Sequence, residues 1–208
     1  PVVIDYESNL YLSKFALFSQ VSKDYFNEKL LTSFSIRTDF SNYSKSLSNS
    51  LEQLSPSLSL SYRLSEAWSV NANISRYHQL PSYTILGYRD GDNNLVNLNN
   101  DVKYIRADHM VFGLEYLTDW KSRFTVESFL KHYTRYPYSI KDSISLANIG
   151  SDFGVVGNEE ITSSSTGRAY GLEFLYQQKL IKGFYAILAY TLVNSEFKNT
   201  ADDFVPTA

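Results

Sequence analysis

Alternate residues of the stretch 57–64, SLSLSYRL, are apolar: Leu58, Leu60, Tyr62 and Leu64 fall on one side, and Ser57, Ser59, Ser61 and Arg63 on the other. A period of two is the signature of a β-strand with chemically distinct faces. It recurs almost everywhere. From Trp68, the residues Trp68, Val70, Ala72 and Ile74 alternate with Ser69, Asn71, Asn73 and Ser75; three residues, Ser65, Glu66 and Ala67, separate the two segments and predict a hairpin. In 30–40, Leu30, Phe34, Ile36 and Phe40 oppose Ser33, Ser35, Arg37 and Asp39. In 110–116 and 170–177 the same alternation carries two near-identical pentapeptides, FGLEY and YGLEF, each with a glycine and a glutamate on the polar side. Segments 13–21, 123–136 and 184–193 alternate less cleanly, giving eight expected strands in four hairpins.

The connections alternate in length. Short ones fall at 22–29, 65–67, 119–121 and 180–182; long ones, rich in Asn, Asp, Ser and Gly, at 42–54, 79–107 and 140–166. Tight turns on one side and long polar loops on the other describe antiparallel up-and-down transmembrane β-strands. On that reading the aromatic and aliphatic face meets lipid. Glu115, Glu127 and Glu173, with Arg37 and Arg63, line a polar lumen together with Lys131 and Arg168, because a carboxylate aimed into hydrocarbon is costly. Gly113 and Gly171 leave lumen-side space for a neighbouring side chain. The alternative is a soluble sheet with one wet face. Strands of ten or so residues and aromatics near strand ends (Trp68, Trp120, Tyr133, Tyr136, Tyr138) favour the membrane. Composition agrees: 17 Tyr and 13 Phe among 208 residues suit half-buried positions with a polar tip.

Other chemistry is weakly represented. The chain has no cysteine, which excludes a disulfide framework and thiolate sites, and its net charge of −3 gives no nucleic-acid footprint. His78, His109 and His132 lack ligand-spaced partners, so no metal site is expected. No G-x-S-x-G elbow occurs, and an outer-membrane enzyme would require a Ser–His–acid cluster assembled across strands; no catalytic residues or cofactor are expected. Asp90, Asp92 and Asn94 alternate around Gly91 as in a calcium loop but lack the closing glutamate, which predicts a turn. The best candidates for ligand contact are Tyr77, His78, Tyr83, Tyr88 and Arg89, in and before the longest loop, where rings and a few polar groups suit sugars or ferric chelates.

Several of these segments resemble TonB-dependent outer-membrane receptors, especially those of Bacteroidetes-type bacteria. Residues 166–196, TGRAYGLEFLYQQKLIKGFYAILAYTLVNSE, are similar to a late barrel hairpin of that family; 54–81, LSPSLSLSYRLSEAWSVNANISRYHQLP, to an earlier one; and 104–116 and 124–137 to the hairpin between. The resemblance implies part of a 22-stranded barrel, occupied by a plug domain, that imports a scarce nutrient (a siderophore, a cobalamin or an oligosaccharide) with energy delivered through TonB. Its setting would be the outer membrane of a Gram-negative bacterium, in contact with lipid and lipopolysaccharide. Eight strands are too few to close so wide a barrel. Residues 1–208 are therefore expected to be a partial barrel domain, the plug and remaining strands lying outside it. The alternative is an independent eight-stranded structural or adhesion barrel.

Overall fold

A computed structural model describes residues 8–149, 157–199 and 203–207. The eight expected strands are present: β1 (Lys14–Tyr25), β2 (Leu30–Ser41), β3 (Ser55–Arg63), β4 (Trp68–Gln79), β5 (Ile105–Leu117), β6 (Ser122–Ser139), β8 (Ile161–Ile181) and β9 (Phe184–Lys198). Two short strands, β7 (Ile144–Ser145) and β10 (Phe204–Pro206), bring the number to ten rather than eight. All pairings are antiparallel, in the order β1-β2-β3-β4-β5-β6-β8-β9-β10, with β7 on β6. Among the described residues β1 pairs with β2 alone, so the sheet is open.

Register carries the period of two across the whole sheet. One face stacks the rows Ala72–Phe112–Ser128–Leu172–Leu192 and Val70–Leu114–Val126–Phe174–Tyr190. Most of these large apolar side chains are exposed, as lipid-facing positions should be in the absence of lipid. Towards the tight turns the next row is aromatic: ring centroids are 4.6 Å apart for Trp68–Tyr116, 6.4 Å for Tyr116–Phe124 and 4.8 Å for Phe124–Tyr176. This ladder has the position of an interfacial girdle. Tyr133 and Tyr136 do not belong to the opposite girdle, contrary to the sequence expectation. Strand parity puts Tyr133 on the lumen face with Glu127 and Lys131, and a register irregularity beyond it, with Arg135 at φ 57°, brings the Tyr136 ring to the same face.

The glycines of the two repeated pentapeptides behave as expected. Gly113 pairs with Glu127, and a Cβ there would lie 3.0 Å from the Glu127 side chain; Gly171 pairs with Phe129, and a Cβ would lie 2.8 Å from its ring and closer still to the Leu192 carbonyl. Gly167 likewise makes room for the ring of Phe197, its partner on β9. Each lumen-side glycine therefore stands opposite a large side chain.

Several strands outrun their sequence limits. β1 continues past Val21 to Tyr25, β6 past Tyr136 to Ser139 and β9 past Val193 to Lys198; β5 begins at Ile105, and β8 begins at Ile161 inside the expected loop 140–166, where Thr162 and Ser165 pair with Tyr138 and Tyr136. The outer ends of β5 and β8 stand above the apolar band. There neither face meets lipid, and the alternation that marks a strand in sequence disappears. The long connections are also less irregular than their composition suggests. They contain one-turn helices α1 (Lys45–Ser48), α2 (Tyr83–Leu86) and α3 (Val96–Asn99), and they build a shared hydrophobic core. Leu47, Leu86, Val102, Tyr104 and Ile161 are fully buried in it. Asn97, itself buried, ties the loops together: its amide donates to the carbonyls of Ile85 and Glu159 and its carbonyl accepts from Ile161 N. The Tyr43 hydroxyl donates to Leu86 O at 2.7 Å, and burial pushes its pKa up to about 12.

Two outcomes are expected in the intact protein. Gly171→Ala should cost about 1–3 kcal/mol in urea unfolding, because overpacking forces the sheet to shift; Gly91→Ala, with nothing within 4 Å of the added carbon, should be close to neutral. Tyr43 holds its proton more tightly folded than unfolded, so its contribution to the loop core is complete below pH ~10 and is lost as pH rises towards 12. An alkaline titration followed by near-ultraviolet dichroism should show that loss, and Tyr43→Phe should diminish it, leaving the share of Tyr104, which burial also pushes up to about 12.

Candidate functional site: the outer end of the lumen face

The lumen face is a polar wall at its centre. Ser35, Ser57 and Ser59 stand beside Asn71 and Asn73, and the Asn73 amide donates to Ser59 Oγ at 2.7 Å. Arg37 reaches along its own strand to Asp39 with two hydrogen bonds of 2.6 and 2.7 Å. Glu115 pairs with Arg123 at 2.6 Å. Arg63 stands near the tight turns in a polar groove with Asp24, Glu28 and Lys29. Glu127 and Glu173 lie directly opposite each other on β6 and β8, and neither forms an ion pair among the described residues. Arg168, expected to join this wall, is on the other face. It precedes Tyr170 by two residues and bonds to Glu196 at 2.8 Å, so the period of two assigns it to the apolar side.

Towards the long loops the wall changes character. A concave site of about 840 Å³ is lined from β4 by Tyr77 and His78, from β5 by His109, from β6 by Tyr133 and Tyr136, and from β9 by Phe197. Its rings form a connected shelf: Tyr77–His109 at 4.8 Å, His109–Tyr133 at 6.3 Å, Tyr133–Phe197 at 5.4 Å and Tyr136–Phe197 at 4.6 Å. Phe197 is the buried keystone and fills the space left by Gly167. Two imidazole nitrogens remain unsatisfied, Nε2 of His109 and Nε2 of His78, whose Nδ1 lies 3.0 Å from Ser55 Oγ. The arrangement offers flat apolar surfaces for stacking and a few hydrogen-bonding groups for orientation, as small-molecule sites do. Among the described residues no three His, Asp or Glu side chains gather into a metal-binding group.

The structure divides the sequence candidates. Tyr77 and His78 line the concave site. Tyr83 is 64% exposed on α2. Tyr88 contributes its carbonyl to Val96 N, and the Arg89 guanidinium is engaged with the carbonyls of Asn93 and Asn9, so both order the loop. Asp90 closes the next turn, its Oδ1 accepting from Asn94 N and Asp92 N at 2.8 and 3.0 Å; the Asn94 backbone bond holds its carboxyl below the usual range. His109, Tyr133, Tyr136 and Phe197 were not selected from sequence. Parity would have found His109, which shares a strand face with Val111 and Gly113; Tyr136 changes face at the β6 irregularity and leaves no such signal.

The sequence matches the family model for the TonB-dependent receptor-like β-barrel over residues 4–207. The chain belongs to that family. Solved structures share its fold. The siderophore receptor PirA of Pseudomonas aeruginosa superposes with a TM-score of 0.60 at 18% identity, covering 89% of this chain and 34% of that one. The ferric enterobactin receptor of the same organism gives 0.60 at 19%, covering 92% and 31%. The copper transporter OprC gives 0.59 at 16%, covering 92% and 30%. This receptor-barrel chain thus spans about a third of the length of these structures. No match was found among curated protein sequences.

The receptor-barrel shelf makes one structural demand. Phe197→Ala should cost about 3–5 kcal/mol through the cavity left against Gly167, Tyr133 and Tyr136. Chemical unfolding of the intact receptor should show this loss, with a weakened near-ultraviolet dichroism signal.

Proposed function

We propose that the chain is part of the barrel wall of an outer-membrane receptor that imports a small nutrient with energy supplied through TonB, and that the concave aromatic site contacts that nutrient. The observation that carries this is the shelf of Tyr77, His109, Tyr133, Tyr136 and Phe197 on the lumen face, immediately below the packed loops. Family membership supports the transport role. Flat rings with hydroxyl tips suit a ligand with its own rings or flat faces, such as an aryl iron chelate, a cobalamin or an oligosaccharide. Two of the similar structures, a siderophore receptor and a ferric enterobactin receptor, favour the chelate.

The opposed Glu127 and Glu173 suit a plug domain inside the lumen. Two like charges directly across a strand pair repel each other, and cationic groups of an enclosed domain would relieve that repulsion.

The test is uptake and ligand binding by the intact receptor in outer membranes. Tyr77→Ala and Tyr133→Ala should each weaken nutrient binding about tenfold to a hundredfold, the range for aromatic anchors in a desolvated site, while receptor abundance is maintained. Deleting TonB should abolish uptake and spare binding. Binding unchanged in both variants would remove the shelf from the ligand path; uptake unaffected by loss of TonB would overturn the transport reading.

A further inference from the structure

The lumen face changes its charge between the glutamate pair and the aromatic shelf. Going outwards, one row is Asn71–Gly113–Glu127–Glu173–Thr191 and the next is Asn73–Val111–Phe129–Gly171–Val193. Then comes Ser75–His109–Lys131–Ala169–Ser195, and beyond it the shelf row Tyr77–Ala107–Tyr133–Gly167–Phe197. Lys131 is therefore a cation one row below the shelf, directly opposite His109 on β5 and next to Tyr133 on its own face of β6. The carboxylates of Glu127 and Glu173 lie two rows further in, or about 13 Å along the strand at ~3.3 Å per residue.

This ammonium has no anionic partner on the wall. Arg37 and Arg123, on the same face, are each matched by a carboxylate, Asp39 and Glu115. Lys131 forms no ion pair among the described residues; its Nζ instead rests over the Phe129 ring, 5.0 Å from the centroid. Its partner on β8, Ala169, carries no polar side-chain atom. The concave site above it brings phenols, imidazoles and the hydroxyls of Ser195 and Thr207, and among the described residues no carboxylate lines it. A neutral ligand seated there would strip water from a strongly hydrated ammonium and return nothing.

We propose that Lys131 sets the charge preference of the shelf, and that the ligand taken there is an anionic aryl chelate. One of its rings stacks on Tyr133 while a chelate oxygen accepts from the Lys131 ammonium. The flexible four-carbon stem lets the ammonium leave Phe129 and turn outwards, exchanging a weak cation–π contact for a charge-assisted hydrogen bond. Among the nutrients that flat rings suit, an uncharged oligosaccharide offers no such exchange. The proposal rests on the reading of the shelf as the nutrient site and narrows its ligand to one charge class. The rival partner for Lys131 is an acid of an enclosed plug domain; the sign of the wall changes at this row, next to the shelf, which favours the ligand.

The experiment is equilibrium binding to the intact receptor in detergent, read by quenching of its intrinsic fluorescence. The probes are two iron chelates of the same shape and ring number: a trianionic ferric tris-catecholate and an uncharged ferric tris-hydroxypyridinone. The trianion should bind about tenfold more tightly or better, and Lys131→Gln should weaken it about tenfold, the loss of one hydrogen bond to a charged group, while leaving the uncharged chelate within about twofold. Lys131→Arg keeps the cation and should restore most of the trianion's affinity. If Lys131→Gln does not fold, the wild-type receptor decides: added salt should weaken the trianion and spare the uncharged chelate. Equal or tighter binding of the uncharged chelate, equal loss of both probes in Lys131→Gln (the result expected of a plug contact), or no binding of either probe would each overturn the proposal. TonB-dependent uptake is measured in the same strains. Its persistence alongside a failed charge preference would leave the transport reading standing, and its absence would remove that reading.

Discussion

A strand facing hydrocarbon has no water to satisfy its backbone, so every N–H and C=O in the band must find a partner on a neighbouring strand. That requirement fixes the rest of this protein. It demands long antiparallel strands in continuous register, and β4, β5, β6, β8 and β9 supply them, pairing over twelve or more positions between several neighbours. Continuous register then forces each side chain onto one of two faces. The rows from Trp68 outwards follow directly: an aromatic ladder and an apolar band on one side, and serines, asparagines and carboxylates on the other. Since no side chain can choose its face, the glycines do the adjusting. Gly113, Gly171 and Gly167 each yield space to Glu127, Phe129 and Phe197. The last of these places the aromatic shelf.

The same constraint explains what could be read from the sequence. Where strands cross the band, polarity has to alternate, and all eight long strands and the two faces were legible from residues such as Leu58, Leu60 and Tyr62 against Ser57, Ser59 and Ser61. Above the band the constraint lapses. Residues 161–166, ITSSST, form a strand that pairs with the outer end of β6, and nothing in their pattern distinguishes them from a loop. The bulge at Arg135 also escaped, because a left-handed residue that is neither glycine nor asparagine has no local signature. Tyr77 and His78 were selected for their chemistry at the edge of the longest loop; Tyr136 left no comparable signal.

The candidate ligand residues divide along the same line. Tyr77 and His109 sit on regular strand, where parity predicts direction. Tyr88 and Arg89 sit in a loop, where the chemical suitability of a side chain for a ligand is no guide to its partner. Arg89 has spent its guanidinium on two backbone carbonyls. Arg168 shows the converse: a charge that looks suited to a polar lumen is assigned by strand parity to the outer surface, where Glu196 and Phe204 accommodate it.

The hydrophobic core of this chain lies outside its membrane-crossing part. Leu47, Leu86, Val102, Tyr104 and Ile161 pack together above the sheet, in loops that meet water, whereas the band itself holds its apolar groups outward. The molecule is thus held together by two solvents acting on two separate regions. Water drives the loops into a cap and is indifferent to the strands; the bilayer, or a detergent belt, secures the strands and does nothing for the cap. Denaturants that act through water should strip the cap first and leave a roofless wall. Loss of lipid should loosen the wall beneath a cap that is still closed.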